Sequence, residues 1–252
     1  MASEKAAALV LRVVDFSESS CVVMLYTREF GKIHGLAKGG RRLKGPFESA
    51  LDLLSLVRIV FLRKSSGALD LLTEAKLERR FRGRGRDLAS IYAGYYVAEL
   101  LTKLTDDYDP HPNLFELANQ TLIALGTAAN TTSLVLRFEL QSLVMLGHQP
   151  TLDLCAECGR TVELEGRVHF SHQAGGVICP QCRPGRKQVV SVSAGVVRTL
   201  SRFADRSGDA WRRLEVDRGS YGELRALLNH YLAHVLGHEL KMPQYLAGPV
   251  TW

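Results

Sequence analysis

Four of the five cysteines form two C-x-x-C pairs, and 20 residues separate the pairs. Gly159 and Pro180 supply the tight turns that such pairs need, and two turns of this kind bring four thiolates around one tetrahedral ion. A redox C-x-x-C would stand beside a βαβ unit, which the sequence does not predict. The spacing predicts one structural Zn²⁺ per chain, and four thiolates leave no open position for catalysis. The expected ligands are Cys155, Cys158, Cys179 and Cys182.

Histidines offer alternative metal ligands. His169 and His172 lie between the two cysteine pairs and could replace a thiolate, although four cysteines make this unnecessary. His230, His234 and His238 recur every four residues, so a helix would bring them to one face as a second metal site. Helical histidines also serve as ordinary surface or packing residues, so this pattern leaves both interpretations open.

The segment GKIHGLAKGGRRLK, residues 31–44, predicts a strand that runs into a cationic loop. Strand side chains alternate between two faces, so Lys32, His34 and Lys38 would share one face. Gly39 and Gly40 then allow the backbone to turn. A basic face and a flexible basic loop suit a polyanion such as nucleic acid. They also suit a solvated hairpin edge that lysines protect from pairing.

The charge distribution favours nucleic acid over a solvated edge. Residues 1–86 carry 17 Lys and Arg against 9 Asp and Glu, whereas residues 87–252 carry 15 against 17. The arginine run at residues 79–86 adds to the basic part, although its glycines also suit a flexible linker. Two basic clusters in one small domain predict a phosphate-binding surface. The candidate contacts are Lys32, Lys38, Arg41, Arg42, Lys44, Arg63 and Lys64.

Aromatic residues in the same region are candidates for base stacking. They are Tyr26, Phe30 and Phe47, and at least two of them also fit buried barrel positions.

Apolar periodicity predicts an α+β protein with two folded parts. Period-two runs at residues 7–16, 21–27, 31–38, 51–64 and 69–80 predict a five-stranded OB-type barrel over residues 1–82, with an SH3-like barrel as the alternative. In the last run, Leu69, Leu71 and Thr73 would face inward and Asp70 outward. Helical spacing then predicts an all-α domain over residues 87–252, interrupted by a zinc module at residues 152–184. Its helices are expected at residues 88–101, 113–125, 132–146, 193–204 and 220–239. Asp87 is the expected N-cap of the first of these helices.

Composition excludes several other classes of protein. The N-terminus lacks a basic segment and reaches Asp15 too early for a secretory signal, and no uncharged apolar run approaches a membrane span. Cysteines in metal-type spacing indicate a reducing compartment, so we expect a cytoplasmic protein without membrane partners, with Cys21 as a buried free thiol. Nucleophile motifs, phosphate loops and dinucleotide fingerprints are absent from the sequence, which predicts that it is not an enzyme.

Several segments, taken in order, resemble the RecO family of bacterial recombination mediators. The likeness covers nearly the whole chain, although each piece alone is weak. The pieces are VLRVVDFSESS (10–20), LYTREFGKI (25–33), AKGGRR (37–42), ELLTKL (99–104), RFELQSLVMLG (137–147), LDLCAECG (152–159) and LGHELK (236–241). The family usually has Arg at the position of His238, which puts any binding role of that position in doubt here.

The resemblance implies a DNA-repair protein with an N-terminal OB domain, a helical domain and, in many members, a zinc module. It implies binding of single- and double-stranded DNA, strand annealing, and action with RecR to load RecA onto DNA coated by single-stranded-DNA-binding protein. It further implies docking of that protein's acidic, apolar C-terminal tail in a pocket rimmed by cations. The candidate rim residues are Arg137, Arg198, Arg202 and Lys241.

Two rival functions fit the same motifs. A generic zinc-ribbon protein that binds RNA would show higher affinity for RNA than for DNA. A zinc-dependent enzyme acting on nucleic acid would lose turnover on chelation while it stayed folded.

Overall fold

The computed structural model describes residues 3–42, 45–47, 50–64, 68–85, 87–127 and 130–246. Contacts divide the chain into two compact units. One unit contains the described residues up to Thr131, together with Tyr245 and Leu246, and the other runs from Thr132 to Gln244.

Five strands in the first unit close into a barrel: β1 (Ser3–Asp15), β2 (Cys21–Thr27), β3 (Gly31–Ala37), β4 (Leu56–Leu62) and β5 (Asp70–Arg79). Their order around the barrel is β1-β2-β3-β5-β4, and every neighbouring pair is antiparallel except β3 and β5, which are parallel. Alternating side chains fill the interior, with Val23, Leu25, Ile33 and Ile59 fully buried. The five predicted strands are therefore present, and β4 is five residues shorter at its start than expected.

The predicted alternation is wrong in the first part of β5. The pairing of β4 with β5 shifts register near the start of β5, and a one-residue shift exchanges the two faces of a strand. Asp70 and Leu72 are therefore buried, whereas Leu71 is only half-buried. The buried Asp70 carboxylate accepts hydrogen bonds from the Lys64 backbone N–H at 3.0 Å and from the Tyr108 hydroxyl.

Two helices, α1 (Leu88–Leu104) and α2 (Pro112–Leu125), belong to the same unit as the barrel. Asp87 caps α1, as predicted, and accepts a hydrogen bond from the Ala89 backbone N–H at 3.1 Å. The segment after α1 lies over β3, where the Tyr108 N–H donates to the Lys32 carbonyl at 2.9 Å. Gly31 permits this approach, because its φ is +68° and a Cβ there would collide with the backbone of the covering segment.

The second unit contains α3 (Thr131–Met145) from Thr132 onward, α4 (Ala194–Ala204) and α5 (Arg218–Leu236). It also contains a three-stranded sheet in the order β7-β6-β8, formed by β6 (Arg167–Ser171), β7 (Gly176–Ile178) and β8 (Val189–Ser193). The prediction of an all-α domain is therefore wrong on this point, because short runs of valine after the second cysteine pair form β8 beside the strands of the module. Within the described part of the chain, no helix is both long and apolar enough to span a membrane.

A buried ion pair connects α3 with α5. The Arg225 guanidinium donates to both carboxylate oxygens of Glu139 at 2.6 and 2.7 Å, and Glu139 is fully buried. Removing one partner of such a pair typically costs about 3–5 kcal/mol, because the other charge stays buried. The pair therefore fixes the two helices relative to each other.

Candidate metal centre and nucleic-acid interface

The four predicted cysteine ligands lie together, with all their Sγ atoms within 4.8 Å of one another. The Sγ atoms of Cys158 and Cys179 are 3.8 Å apart. Tetrahedral zinc with Zn–S bonds of about 2.3 Å places its sulfurs about 3.8 Å apart, so the donor set fits Zn²⁺. Cys155 and Cys179 are buried, whereas Cys158 is exposed.

Backbone turns hold both cysteine pairs in place. The Gly159 N–H donates to the Cys155 carbonyl at 2.8 Å with a φ of +71°, and the Cys182 N–H donates to the Cys179 carbonyl at 3.0 Å. Burial raises the pKa of the Cys155 thiol, but backbone donors from Cys179, Cys158 and Glu157 outweigh burial and lower this pKa to about 6. At Cys155 the environment therefore favours the thiolate that a metal ligand needs, whereas hydrogen bonds with the Cys179 and Cys158 thiols raise the pKa of Cys182.

The histidine alternatives fall outside this centre. Among the described residues, the group of four cysteines is the one set of three or more His, Cys, Asp or Glu with metal-ligand spacing, and it includes neither His169 nor His172. The interpretation in which three histidines share one helical face does not hold. Helix α5 ends at Leu236, and Gly237 turns the chain with a φ of +74° before His238.

Three predicted phosphate contacts, Lys38, Arg41 and Arg42, are exposed in the turn that follows β3. The turn packs closely against the start of β2, since a Cβ at Gly40 would lie 2.7 Å from the Cys21 Sγ. Cys21 is the predicted buried free thiol, and burial raises its pKa. Close packing gives this cationic turn a fixed position on the barrel.

Arg41 connects the cationic turn with the hairpin between β1 and β2. Its guanidinium lies 3.3 Å from the Asp15 carboxylate and donates to the Ser17 carbonyl at 3.1 Å. Its backbone N–H donates to the Ser19 carbonyl at 3.1 Å. The turn and the hairpin therefore form one surface.

Lys32 is not part of an exposed basic face. Its side chain is only 11% exposed, and its ammonium group donates to the carbonyls of Thr102 at 2.9 Å and Thr105 at 2.5 Å. The prediction of a phosphate contact overlooked the segment after α1, which covers this part of β3. Lys32 instead satisfies carbonyls at the C-terminal end of α1, where a cation also complements the helix dipole.

The remaining basic candidates lie at the end of β4. Arg63 and Lys64 are exposed, and the Arg63 guanidinium lies 4.2 Å from the centroid of the Tyr108 ring. Leu62, the residue before Arg63, pairs with Leu71 of β5, and Leu71 also pairs with Leu36 of β3. Strand β5 therefore lies between β3 and the end of β4 that leads to Arg63. Lys44 lies outside the described residues.

The aromatic candidates are mostly interior. Tyr26 and Phe47 are buried, and Phe30 packs edge-on against Phe61 with centroids 5.4 Å apart. Sequence reasoning missed Phe16, which is 65% exposed at the hairpin between β1 and β2. Its place between the last strand residue and the turn sequence SESS is the signal that indicates exposure.

Family models match almost the whole chain. The model described as Recombination protein O N terminal matches residues 1–81, and the model described as Recombination protein O C terminal matches residues 85–243. The chain belongs to the RecO family. The two RecO models together cover the barrel, all five helices and the cysteine centre.

Similar curated proteins carry the name DNA repair protein RecO. One from Rhodopirellula baltica is 38% identical over 95% of this chain and 97% of its own length. One from Anaeromyxobacter sp. (strain K) is 34% identical over 98% of this chain and 97% of its own length. One from Listeria monocytogenes serotype 4b is 29% identical over 99% of this chain and 96% of its own length.

The residues that the RecO resemblance suggested for partner binding differ in their surroundings. Arg137 is half-buried and donates to the carbonyls of Phe203 and Asp205 at the C-terminal end of α4. Arg198 donates to the Leu164 carbonyl at 2.6 Å. Arg202 and Lys241 have exposed side chains. Arg137 therefore has a clear structural role, whereas Arg202 presents its charge to solvent.

Proposed function

We propose that this protein is a mediator of DNA repair and homologous recombination that binds single- and double-stranded DNA and anneals complementary strands. Its RecO family membership and relatives named as DNA repair proteins support this role. The observation that carries the proposal is the exposed cationic turn with Lys38, Arg41 and Arg42, which packs against the barrel at Gly40. In this proposal the protein is cytoplasmic and has no catalytic activity.

The barrel is of the OB type in this proposal. Its strand order β1-β2-β3-β5-β4, closed through the parallel pair β3 and β5, supports this assignment over an SH3-like barrel. OB barrels bind oligonucleotides through the connection between their first two strands and neighbouring surfaces. The cationic turn lies against that connection, through the contacts of Arg41 with Asp15 and Ser17.

Annealing requires that a strand is held while its bases stay free to pair. Lys38, Arg42, Arg63 and Lys64 are exposed cations that suit phosphate contacts, which fix position without sequence preference. The predicted phosphate contact of Lys44, which lies outside the described residues, is also part of the proposal. Arg41 acts first as the residue that positions the turn, and its exposed ion pair with Asp15 contributes little to stability.

Zinc has a structural role in the proposal. Cys155, Cys158, Cys179 and Cys182 would hold it, and four thiolates complete the coordination of the ion, so that it stabilises the cysteine centre without an open site for substrate.

The proposal also includes three protein partners. The protein acts with RecR to help load RecA onto DNA coated by single-stranded-DNA-binding protein, whose C-terminal tail is acidic and apolar. Arg198, Arg202 and Lys241 are the proposed cations for that tail, whereas the bonds of Arg137 to the end of α4 support a positioning role for it.

The proposal is tested by annealing complementary strands that are first coated with single-stranded-DNA-binding protein. We expect the full chain to accelerate annealing, and Lys38→Ala with Arg42→Ala to lose most of that acceleration. Lys5→Ala with Lys76→Ala removes the same charge from exposed barrel positions and serves as the control. Absence of annealing, equal losses in both double variants, or a stronger affinity for RNA than for DNA would contradict the proposal.

A further inference from the structure

Phe16 is the most exposed large hydrophobic side chain among the residues that the structure describes, at 65%. The backbone that carries it is well defined, because the Phe16 N–H donates to the Ser20 carbonyl at 3.0 Å. The Ser17 N–H donates to the same carbonyl at 3.1 Å, and the Ser20 N–H donates to the Ser17 hydroxyl at 3.2 Å. The hairpin therefore presents a phenyl ring to solvent from a defined turn.

The cationic turn lies against the hairpin that carries this ring. Three contacts of Arg41, with the Asp15 carboxylate and the Ser17 and Ser19 carbonyls, hold the turn against the hairpin that carries Phe16. Lys38 and Arg42 extend the positive charge and are exposed. Asp15 and Glu18 are the acids of the same hairpin, and Asp15 is paired with Arg41.

A nucleotide combines an apolar ring face with a neighbouring phosphate, and this surface combines an exposed ring with neighbouring cations. We propose that Phe16 is a stacking platform for one unpaired base and that Lys38 and Arg42 bind the phosphates beside that base. In a duplex, each base is covered on both faces by its stacked neighbours, so the platform accepts a base only from single-stranded nucleic acid. The inference rests on the proposed function, because it specifies which form of nucleic acid this part of the barrel selects.

The stacking contact and the phosphate contacts have different signatures. Stacking on an aromatic side chain is sequence-tolerant and adds affinity without releasing counterions, so its loss leaves the salt dependence unchanged. Losing a phosphate contact instead flattens the salt dependence. Phe16 and the cations can therefore be separated in one titration series.

The test uses the full chain with a labelled oligothymidylate and a duplex of equal length. Phe16→Ala should weaken single-strand binding by about 5- to 100-fold, from the usual contribution of one stacked base. The salt slope and the duplex affinity should stay unchanged. Phe16→Trp should keep the single-strand affinity, and its indole fluorescence should change on binding. Leu88→Ala, which truncates another exposed apolar side chain, is the control and should behave like the parent.

The outcomes distinguish this inference from the proposed function. If Phe16→Ala binds the oligothymidylate within twofold of the parent while Lys38→Ala with Arg42→Ala binds weakly, the stacking platform is wrong and the DNA-binding turn stands. If Phe16→Ala and the double variant Lys38→Ala with Arg42→Ala both bind like the parent, the nucleic-acid site lies elsewhere, and both the stacking platform and the DNA-binding turn are wrong. An equal loss for single strand and duplex would overturn the selectivity. Because Phe16 is exposed, circular dichroism of each variant should match the parent.

Discussion

Two lysines that were predicted to share one strand face show how covering segments change the role of a side chain. Lys32 and Lys38 were both predicted as phosphate contacts, but the segment after α1 covers Lys32 and leaves Lys38 in solvent. The buried ammonium of Lys32 satisfies two backbone carbonyls, Thr102 and Thr105, that the end of α1 leaves unpaired. The same residue type therefore stabilises the fold at one position and is available for binding at the other.

Lys32→Met should lower the free energy of unfolding by about 1–3 kcal/mol, because it keeps the aliphatic stem but leaves the two carbonyls without a donor. Urea unfolding of the full chain measures this loss. Lys38→Met is the matched control and should leave stability unchanged while it weakens nucleic-acid binding. A Lys32→Met protein with full stability and lost DNA affinity would show that Lys32 contacts DNA after all.

His172 should make stability sensitive to acid. Burial, followed by the neighbouring His230 and His234, lowers the pKa of His172 to about 4, and its Nδ1 has no hydrogen-bond partner among the described residues. The unfolded chain takes up this proton near pH 6.5 and the folded chain only near pH 4. The contribution of His172 to the free energy of unfolding is therefore fully present above pH 6.5, decreases as the pH falls towards 4, and does not change further below pH 4.

His172→Phe should remove about 1–2 kcal/mol of the stability difference between pH 7 and pH 5. Urea unfolding at the two pH values measures it, and His148→Gln at an exposed position is the control. An identical pH dependence in His172→Phe and the parent would refute the assignment of acid sensitivity to His172.

At the scale of elements, the two cysteine turns are held by hydrogen bonds and partly buried thiols. The two turns bring Cys155 and Cys179 into the interior, and the Cys179 N–H donates to the Cys155 Sγ at 3.3 Å. Four thiols that close together gain little from one another without a cation, so we expect the stability of this module to depend on the proposed metal.

Replacing Cys155 and Cys179 by Ser should abolish zinc binding and lower the midpoint of thermal unfolding by several degrees, because the metal stabilises only the folded module. Zinc content by mass spectrometry and a thermal scan measure the two effects, and His169→Gln should retain one zinc per chain. Single-strand binding should persist at temperatures where the double variant is folded. Full thermal stability of the double variant would mean that the centre is not structural.

The bounds and caps of helices and strands were predicted well where a short stretch of sequence determines them. Strand β2 has the predicted bounds, and Asp87 caps α1 as expected. The errors lie where a distant segment decides the outcome. The register shift that buries Asp70 depends on pairing with β4, and the covering of Lys32 depends on residues about 70 positions away. Apolar periodicity along the chain predicts neither the register shift at Asp70 nor the covering of Lys32.

At the scale of the whole molecule, the excess of positive charge in residues 1–86 predicted where binding should be sought, but not which side chains are exposed. The meeting of the four cysteines was predictable residue by residue, because their spacing is that of a tetrahedral metal site. The proposed binding surface was predictable only in part. Phe16 became the stacking candidate because the structure exposes it at the hairpin, whereas the predicted candidates Tyr26 and Phe47 are buried.

The most direct test of the account is the salt dependence of single-strand binding by the full chain. We expect Lys38→Ala with Arg42→Ala to flatten the slope of log affinity against log salt by about 1.4, because each lost phosphate contact on a single strand contributes about 0.7. Lys32→Met should leave the slope unchanged at temperatures where it is folded. An unchanged slope in the double variant, or a flattened slope in Lys32→Met, would contradict the claim that the exposed turn after β3 holds the DNA backbone.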